Sequence, residues 1–151
     1  MKKVCFPALA VLLVSCVTNE TSERIAPAEA PSISSGCYRM AIDRDTAYLK
    51  MELNGNDVSG NLVYDGWEKD DNRGTISGRL SGNKITLWYR YQSEGVWSVR
   101  QVIYKVGNNV LYEGYGEFEG SEDSAVFRFP DALRYEENHP YQKIPCNEAK
   151  F

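Results

Sequence analysis

Arg100, Glu113 and Glu117 are the residues whose types and spacing could form a charged pair inside a folded domain. Arg100 lies in an alternating apolar and polar segment, 97–106, and both glutamates lie in the next such segment, 110–118. If these segments are neighbouring antiparallel strands, the three side chains share one face of the sheet. An unpaired charge inside a protein costs several kcal/mol, so an inward Arg100 needs a carboxylate beside it. We therefore expect Arg100 to pair with Glu113 or Glu117.

Four tyrosines would surround this charged pair on the same face of the sheet. They are Tyr89, Tyr91, Tyr104 and Tyr115. Aromatic walls with a few convergent polar groups are typical of a pocket that binds a small amphipathic or acidic ligand. The two glutamates, the arginine and the four tyrosines are therefore the candidate ligand-binding residues.

The turn between Ser93 and Val96 decides whether Arg100 points into the domain. If the turn has an even number of residues, Tyr89 lies opposite Arg100, and the arginine faces the interior. An odd number shifts the register by one residue and leaves Arg100 and the glutamates in solvent. The interior would then be filled by Trp97, Val99, Ile103 and Phe118. Both registers are open at this point, because a small barrel filled entirely by side chains is common.

The elements that must position these residues are hairpin-linked strands. Alternating apolar and polar residues extend from Tyr38 to Phe129, and the runs are separated by turns such as Gly55-Asn56, Gly82-Asn83 and Gly107-Asn108. This pattern predicts antiparallel strands joined by short turns. The predicted strands are 37–42, 46–53, 58–65, 75–81, 84–92, 97–106, 110–118 and 125–129.

Eight sequential strands predict an all-β fold, an up-and-down meander that closes into a small barrel. The hairpins place Leu49 opposite Leu62 and Ile76 opposite Tyr89 on the inward face. Gly60 and Gly78 also fall on this face, where a glycine indicates a strongly coiled sheet or close packing. After the strands, Asp131 to Asn138 is predicted to form a short helix with Asp131 as its N-cap.

This layout, over residues 37 to 146, resembles the small lipocalin-like (calycin) barrels that occur as envelope lipoproteins of Gram-negative bacteria. The resemblance is architectural, since the Gly-x-Trp of lipocalins near the first strand is absent from this sequence. It implies a barrel around a ligand cavity or a filled core, and no particular lipocalin function carries over.

The N-terminus has the layout of a bacterial signal peptide. Lys2 and Lys3 precede an apolar run from Val4 to Val14, which is shorter than the ~20 residues that a membrane-spanning helix needs. The residues Leu13-Val14-Ser15-Cys16 resemble the lipobox of bacterial lipoproteins. The resemblance implies cleavage after residue 15, lipidation of Cys16 with palmitate among its acyl chains, and anchoring in the outer membrane. An ordinary signal peptide with an incidental cysteine is the alternative.

The remaining cysteines are expected to form a disulfide. Cys5 leaves with the signal peptide and Cys16 carries lipid, so Cys37 and Cys146 remain in an oxidising compartment. Two buried free thiols are the alternative. Residues 17 to 35 are rich in Pro, Ser, Thr and Glu, and we interpret residues 16–35 as the lipidated cysteine with a flexible tether and 36–151 as the barrel domain.

Composition excludes several other functions. The 151-residue chain has 17 Lys and Arg against 21 Asp and Glu, a net charge of −4, so it offers no electrostatic footprint for nucleic acid. The single histidine, His139, and the lack of CxxC or HxxxH spacing leave too few ligands for a zinc site. We expect one monomeric domain without metal, cofactor or enzymatic activity.

Three functional classes fit these observations. The preferred hypothesis is a lipid-anchored module of the cell envelope that binds a small ligand or a partner. The alternative is an envelope interaction or inhibitor protein that acts through its barrel loops, similar to the small-barrel lipoproteins that block lysozymes. That resemblance extends only to size, anchoring and disulfide. A structural role in the envelope is the third class.

Overall fold

The computed structural model describes residues 32–68, 71–93, 95–121 and 123–151. Within these ranges, no helix has the length and apolarity to cross a membrane. The strands are β1 (Gly36–Ile42), β2 (Asp45–Asn54), β3 (Asp57–Asp65), β4 (Asn72–Ser81), β5 (Lys84–Ser93), β6 (Val96–Val106), β7 (Val110–Tyr115), β8 (Phe118–Ser121), β9 (Ser124–Phe127), β10 (Arg134–Tyr135) and β11 (Tyr141–Ile144). A 3₁₀ helix, Cys146–Glu148, follows β11.

Eight of these strands form a closed antiparallel barrel, which confirms the predicted fold class. Strands β1 to β7 pair in sequence order, and β11 lies between β7 and β1 to close the cylinder. The eighth barrel strand is thus β11 rather than the predicted 125–129. That segment is found as β9, which pairs in parallel with β6 and antiparallel with β8 at the side of the barrel.

The helix predicted over Asp131 to Asn138 is wrong. This stretch contains β10, whose residues Arg134 and Tyr135 pair with Tyr115 and Gly114 of β7. An isolated helix of about two turns has little stability of its own, so pairing with an existing strand determines the conformation. The helical turn that the structure does contain lies later, at Cys146–Glu148.

The hairpin registers follow the sequence expectations. Leu49 lies opposite Leu62, Ile76 opposite Tyr89, and Tyr89 opposite Arg100. Ser93 pairs with Val96, so the β5–β6 turn has an even length and Arg100 faces inward. The alternative register is wrong. Two of the side chains it would have buried, Trp97 and Phe118, are 50% and 45% exposed.

The two glycines on the inward face allow close approach of neighbouring strands. A Cβ atom on Gly60 would lie 1.9 Å from the backbone oxygen of Lys50, and one on Gly78 would lie 2.0 Å from that of Thr86. Gly60 also has a φ of 149°, which L side chains rarely adopt. The sheet can therefore curve tightly at these positions, as the repeated glycine pattern predicted.

One end of the barrel is sealed, and we call it the closed end. It holds the β2–β3, β4–β5 and β6–β7 turns and residues 32–35, which precede β1. Ile33 packs against the core, the Ser32 carbonyl accepts from the Asn109 N–H, and Ser35 Oγ accepts from the Leu53 N–H. The last four residues assigned to the tether are therefore held on the barrel.

The predicted disulfide is confirmed and lies at the same end. It joins Cys37 of β1 to Cys146, which follows β11. Beyond it, the C-terminal residues cover the outer face of the first strands. The Phe151 ring lies 6.5 Å from that of Tyr48, and Lys150 Nζ lies 3.7 Å from an Asp65 carboxylate oxygen. The chain therefore shields part of its own outer surface.

A second outer face is covered by the segment after β9. Ile103 points outward between two inward residues of β6, yet it is only 1% exposed. The Leu133 side chain lies over Gly114 of the neighbouring strand β7 and over Gly116 just beyond it. Cβ atoms added to these glycines would come within 2.9 Å and 2.6 Å of that side chain. This packing explains why the chain, after a turn in which the Ala132 N–H donates to the Phe129 carbonyl, continues into β10 instead of forming a helix.

Candidate functional site

The opposite end of the barrel, which we call the open end, contains a cavity of about 350 Å³. It is bounded by the β1–β2 and β3–β4 connections and by the last residue of β7. Residues that line it include Met40, Ile42, Tyr64 and Arg100, together with the two acidic residues Asp45 and Asp65. The wall thus combines apolar side chains with a few polar groups, as expected for a small-molecule site.

Arg100 lies among aromatic rings at the inner side of this cavity. Its guanidinium carbon is 4.7 Å from the Tyr64 ring centroid, 5.6 Å from that of Tyr89 and 5.9 Å from that of Tyr91. The negative faces of these rings stabilise the cation where water is largely excluded. Tyr89 and Tyr91 stack on each other with centroids 4.8 Å apart. The aromatic surround predicted from the sequence is therefore present for this pair of tyrosines.

Glu113 is the buried carboxylate of the site, only 7% exposed. One of its oxygens accepts a hydrogen bond from the Tyr64 hydroxyl at 2.6 Å, and the other accepts from the Tyr141 hydroxyl at 2.7 Å. Neither oxygen lies within 4.0 Å of an Arg100 nitrogen. The expected direct ion pair is not formed, and Tyr64 stands between the two charges.

Burial sets the protonation of this cluster. It raises the pKa of Glu113, an effect opposed by the two tyrosine hydrogen bonds and by the positive charge of Arg100. Burial also raises the pKa of Tyr64, Tyr104 and Tyr141 well above the usual tyrosine value, and the nearby Glu113 charge adds to the rise. The tyrosines therefore remain protonated. Tyr64 and Tyr141 donate to Glu113, whereas the Tyr104 hydroxyl is buried without a hydrogen-bond partner in the described structure.

The Arg100 guanidinium remains charged. Burial alone would lower its pKa, but the neighbouring Tyr64 and Glu113 outweigh this effect and the pKa is raised. Two polar atoms of the cavity wall, Arg100 Nε and Asn72 Oδ1, are buried and have no hydrogen-bond partner in the described structure. Buried polar atoms usually have partners, so these two are unsatisfied polar groups directly behind the cavity surface.

No family model, curated protein or solved structure matches this chain. The function must therefore be inferred from the geometry of the barrel. In the ranges that the structure covers, no group of three or more His, Cys, Asp and Glu side chains is placed to hold a metal ion. The predicted signal peptide and the predicted lipidation site, Cys16, lie outside the described residues.

The structure separates Glu117 from the other predicted site residues and places Tyr115 at the rim of the cavity that Arg100 lines. Glu117 lies beyond the end of β7 and is exposed, and its backbone oxygen accepts from the Arg128 N–H. Tyr115, the last residue of β7, is 41% exposed at the rim of the cavity, and partial burial raises its pKa to about 12. The inward face ends at Tyr115, because the chain then turns away to form β8.

Sequence reasoning missed Tyr64, Tyr141 and Asn72. The position of Tyr64 was accessible, because it lies two residues beyond the inward Leu62 on the same strand. Tyr141 follows Pro140 in the short closing strand, whose four residues carry no alternating pattern strong enough to predict. Its ring packs edge-on against Tyr104, with centroids 5.2 Å apart. The closing strand therefore completes the site as well as the barrel.

Proposed function

We propose that this chain is a lipid-anchored protein of the cell envelope whose barrel binds a small amphipathic molecule through an anionic group. It acts as a monomeric, non-enzymatic binding module of the outer membrane. The observation that carries the proposal is the Arg100 guanidinium, which borders a cavity of about 350 Å³ while Glu113 is hydrogen-bonded to two tyrosines. The two other carboxylates of the wall also have partners, because Asp65 lies 3.7 Å from Lys150 Nζ and Asp45 accepts from the Trp67 N–H. Its charge is thus available to a ligand.

The chemistry of the cavity favours a carboxylate on an apolar body. The Arg100 guanidinium borders the cavity and can donate a charge-assisted hydrogen bond, and such bonds are roughly twice as strong as neutral ones. Met40, Ile42 and Ala47 supply an apolar wall on the β1 and β2 side of the same cavity. A short fatty acid has this combination of groups. The polar cluster favours binding over turnover, because Glu113 is held by two hydrogen bonds and the tyrosines remain protonated.

The entry of the chain into the barrel supports an anchor. Residues 32–35 lie at the closed end, so a lipid attached earlier in the chain is tethered to that end. The open end, with its cavity, then faces away from the anchor. A ligand in the surrounding compartment can reach the cavity without displacing the tether.

Ligand binding is tested by calorimetric titration with two probes matched in length but opposite in charge, octanoate and octyltrimethylammonium. Octanoate should bind and the ammonium should not. Arg100→Gln should weaken octanoate binding at least tenfold, since hydrogen bonds to charged groups contribute about 1.5–3 kcal/mol. Arg90→Gln, on the outer face of the barrel, is the control and should bind normally. Equal binding of both probes, or no binding of octanoate, would contradict the proposal.

Anchoring is tested separately by metabolic labelling with radioactive palmitate. Wild type and Cys5→Ser should both be labelled, because only Cys16 follows the lipobox-like residues. Cys16→Ser should carry no label and should remain in the soluble fraction or uncleaved. If Cys16→Ser is still labelled, the lipoprotein interpretation is wrong, whatever the barrel binds.

A further inference from the structure

The outer face of β4, β5 and β6 is basic, although the whole chain is acidic. The outward positions of these strands carry five basic residues and, in the described residues, no acidic one. The five are Arg73, Arg79, Lys84, Arg90 and Lys105. Four of them form ion pairs with carboxylates of other segments. The nitrogen–oxygen distance is 2.9 Å for Arg73, 3.5 Å for Arg79, 3.1 Å for Lys84 and 2.5 Å for Lys105. Arg90, between them, has no carboxylate within 4.0 Å in the described structure.

Two exposed tryptophans lie on either side of Arg90 on this face. Trp88 is 43% exposed and Trp97 is 50% exposed, and the Arg90 guanidinium carbon lies 4.1 Å from the Trp97 ring centroid. Trp97 pairs with Gln92, four residues along β5 from Trp88. At ~3.3 Å per residue, the backbone positions of the two tryptophans are offset by roughly 13 Å along the strand direction. The Arg90 guanidinium covers one face of the Trp97 indole, and the exposed Trp88 lies two residues from Arg90 on the same face of β5.

This face differs from the other outer faces of the barrel. The C-terminal residues cover the face that contains Tyr48, and the segment with Leu133 covers the face that contains Ile103. Trp88 and Trp97 are left uncovered, and large exposed aromatic side chains grouped on one face mark an interaction site. We call the surface formed by Trp88, Arg90 and Trp97 the tryptophan face.

We propose that the tryptophan face binds a polysaccharide that carries carboxylate groups. The apolar faces of sugar rings stack on indoles, while hydroxyl groups at the ring edges need hydrogen-bond partners. Thr75 and Ser77 of β4 lie opposite Arg90 and Trp88, and Gln101 of β6 lies opposite Trp88. The strands on both sides of the tryptophan face thus supply the polar groups that a sugar chain requires.

The position of Arg90 specifies the anionic group. Because the guanidinium already covers a face of Trp97, the sugar ring stacks on Trp88, and the anion that reaches Arg90, two residues away on the same face, must be carried by that ring. The carboxylate of a uronic acid is attached to the sugar ring and meets this condition. A planar carboxylate also matches the two-donor fork of an arginine. The preferred occupant is therefore a chain of uronic acid residues.

The test is affinity electrophoresis of the full chain in native gels that contain polygalacturonate. Wild type should be retarded, and Trp88→Ala, Trp97→Ala and Arg90→Gln should each weaken the interaction at least tenfold, as expected for central interface residues. The matched control is Trp67→Ala. Trp67 is 52% exposed and also lies under an arginine, with the Arg44 guanidinium carbon 4.5 Å from its ring, but it lies in the β3–β4 connection. This control should be retarded like wild type.

Three further binding measurements distinguish a uronic acid chain from other classes of partner. Neutral dextran should cause no retardation, and dextran sulfate should cause none that depends on the two tryptophans. Vesicles of phosphatidylglycerol and phosphatidylcholine should not co-sediment with a protein whose lipid has been removed. The proposal is overturned if polygalacturonate fails to retard wild type, if the three variants behave like Trp67→Ala, or if the anionic vesicles bind through the tryptophans instead.

Discussion

The two ends of the barrel are made from the same strands but are packed by different chemistry. At the closed end, Ile33, the disulfide and backbone hydrogen bonds of residues 32–35 seal the cylinder. At the open end, Arg100 and Glu113 are buried among tyrosines beneath a cavity. Apolar and covalent contacts stabilise one end at no cost in buried charge. The other end retains groups that are costly to bury, as ligand sites commonly do.

The largest effect is expected at the closed end, on removal of the disulfide. Cys37→Ala combined with Cys146→Ala should lower the free energy of unfolding by about 4 kcal/mol, because the bridge spans 109 residues and restricts a large loop in the unfolded chain. Denaturant titration measures the change, and reduction of wild type with dithiothreitol should reproduce it. A loss below about 1 kcal/mol would show that the closed end is held without the bridge.

The next largest effect is expected at the open end. Arg100→Leu should lower the free energy of unfolding by about 3 kcal/mol, because it leaves the Glu113 charge buried without a nearby cation. The loss is at the lower limit for an uncompensated buried charge, since Glu113 keeps its two tyrosine partners. In a Glu113→Gln background, the same change should cost about 1 kcal/mol or less. Glu117→Gln is the control for exposed acids and should change stability by less than about 0.5 kcal/mol. Equal losses in both backgrounds would rule out coupling of the two charges.

A smaller effect distinguishes two isoleucines of equal size at opposite ends. Ile33 and Ile42 are both partly buried against the core, but only Ile42 borders the cavity. Ile33→Ala should lower the free energy of unfolding by about 1.5 kcal/mol, and Ile42→Ala by about half as much, because its methyl groups already adjoin open space. In octanoate titrations, Ile42→Ala should weaken binding and Ile33→Ala should not. The reverse pattern would place the ligand elsewhere.

The smallest effect is the pH dependence that Glu113 introduces. Its pKa is raised on folding above the ordinary 4.5, so the folded state holds this proton more tightly than the unfolded state. The associated stabilisation is present below pH 4.5 and is lost as the pH rises through the folded-state pKa. Wild type should therefore lose stability relative to Glu113→Gln over this interval. Denaturant titrations of both proteins at matched pH values measure the difference, and a constant difference would exclude a raised pKa.

Strand positions and registers were predictable because the hairpins have short turns and the side chains alternate regularly. Once Tyr89 was aligned with Ile76 and the β5–β6 turn taken as even, Arg100 had to face inward, and it does. The inward position of Glu113 followed from the β6–β7 turn, since Glu113 lies opposite the inward Tyr104. These are local consequences of a period of two, which turn length propagates from one strand to the next.

The end of β7 and the position of the closing strand depend on contacts between residues distant in sequence. The inward face was extended to Glu117, but β7 ends at Tyr115, where its pairing with β10 and the departure of β8 change the direction of the chain. The closing strand has only four residues and depends on β1 and β7 for its conformation. Tyr141 therefore could not be assigned to the site from local pattern, although it donates one of the two hydrogen bonds to Glu113.

The position of β11 between the first and seventh strands has a consequence for the order in which the molecule is assembled. The chain is synthesised from its N-terminus, so β1 and β2 can pair before residues Tyr141–Ile144 emerge. Until then, β1 has an unpaired edge, and the Cys37 thiol has no partner. A chain interrupted before Tyr141 is an open sheet with two free edges, which are prone to join other chains. Pairing of β11 with both neighbours is thus the step that removes these edges and brings Cys146 to Cys37.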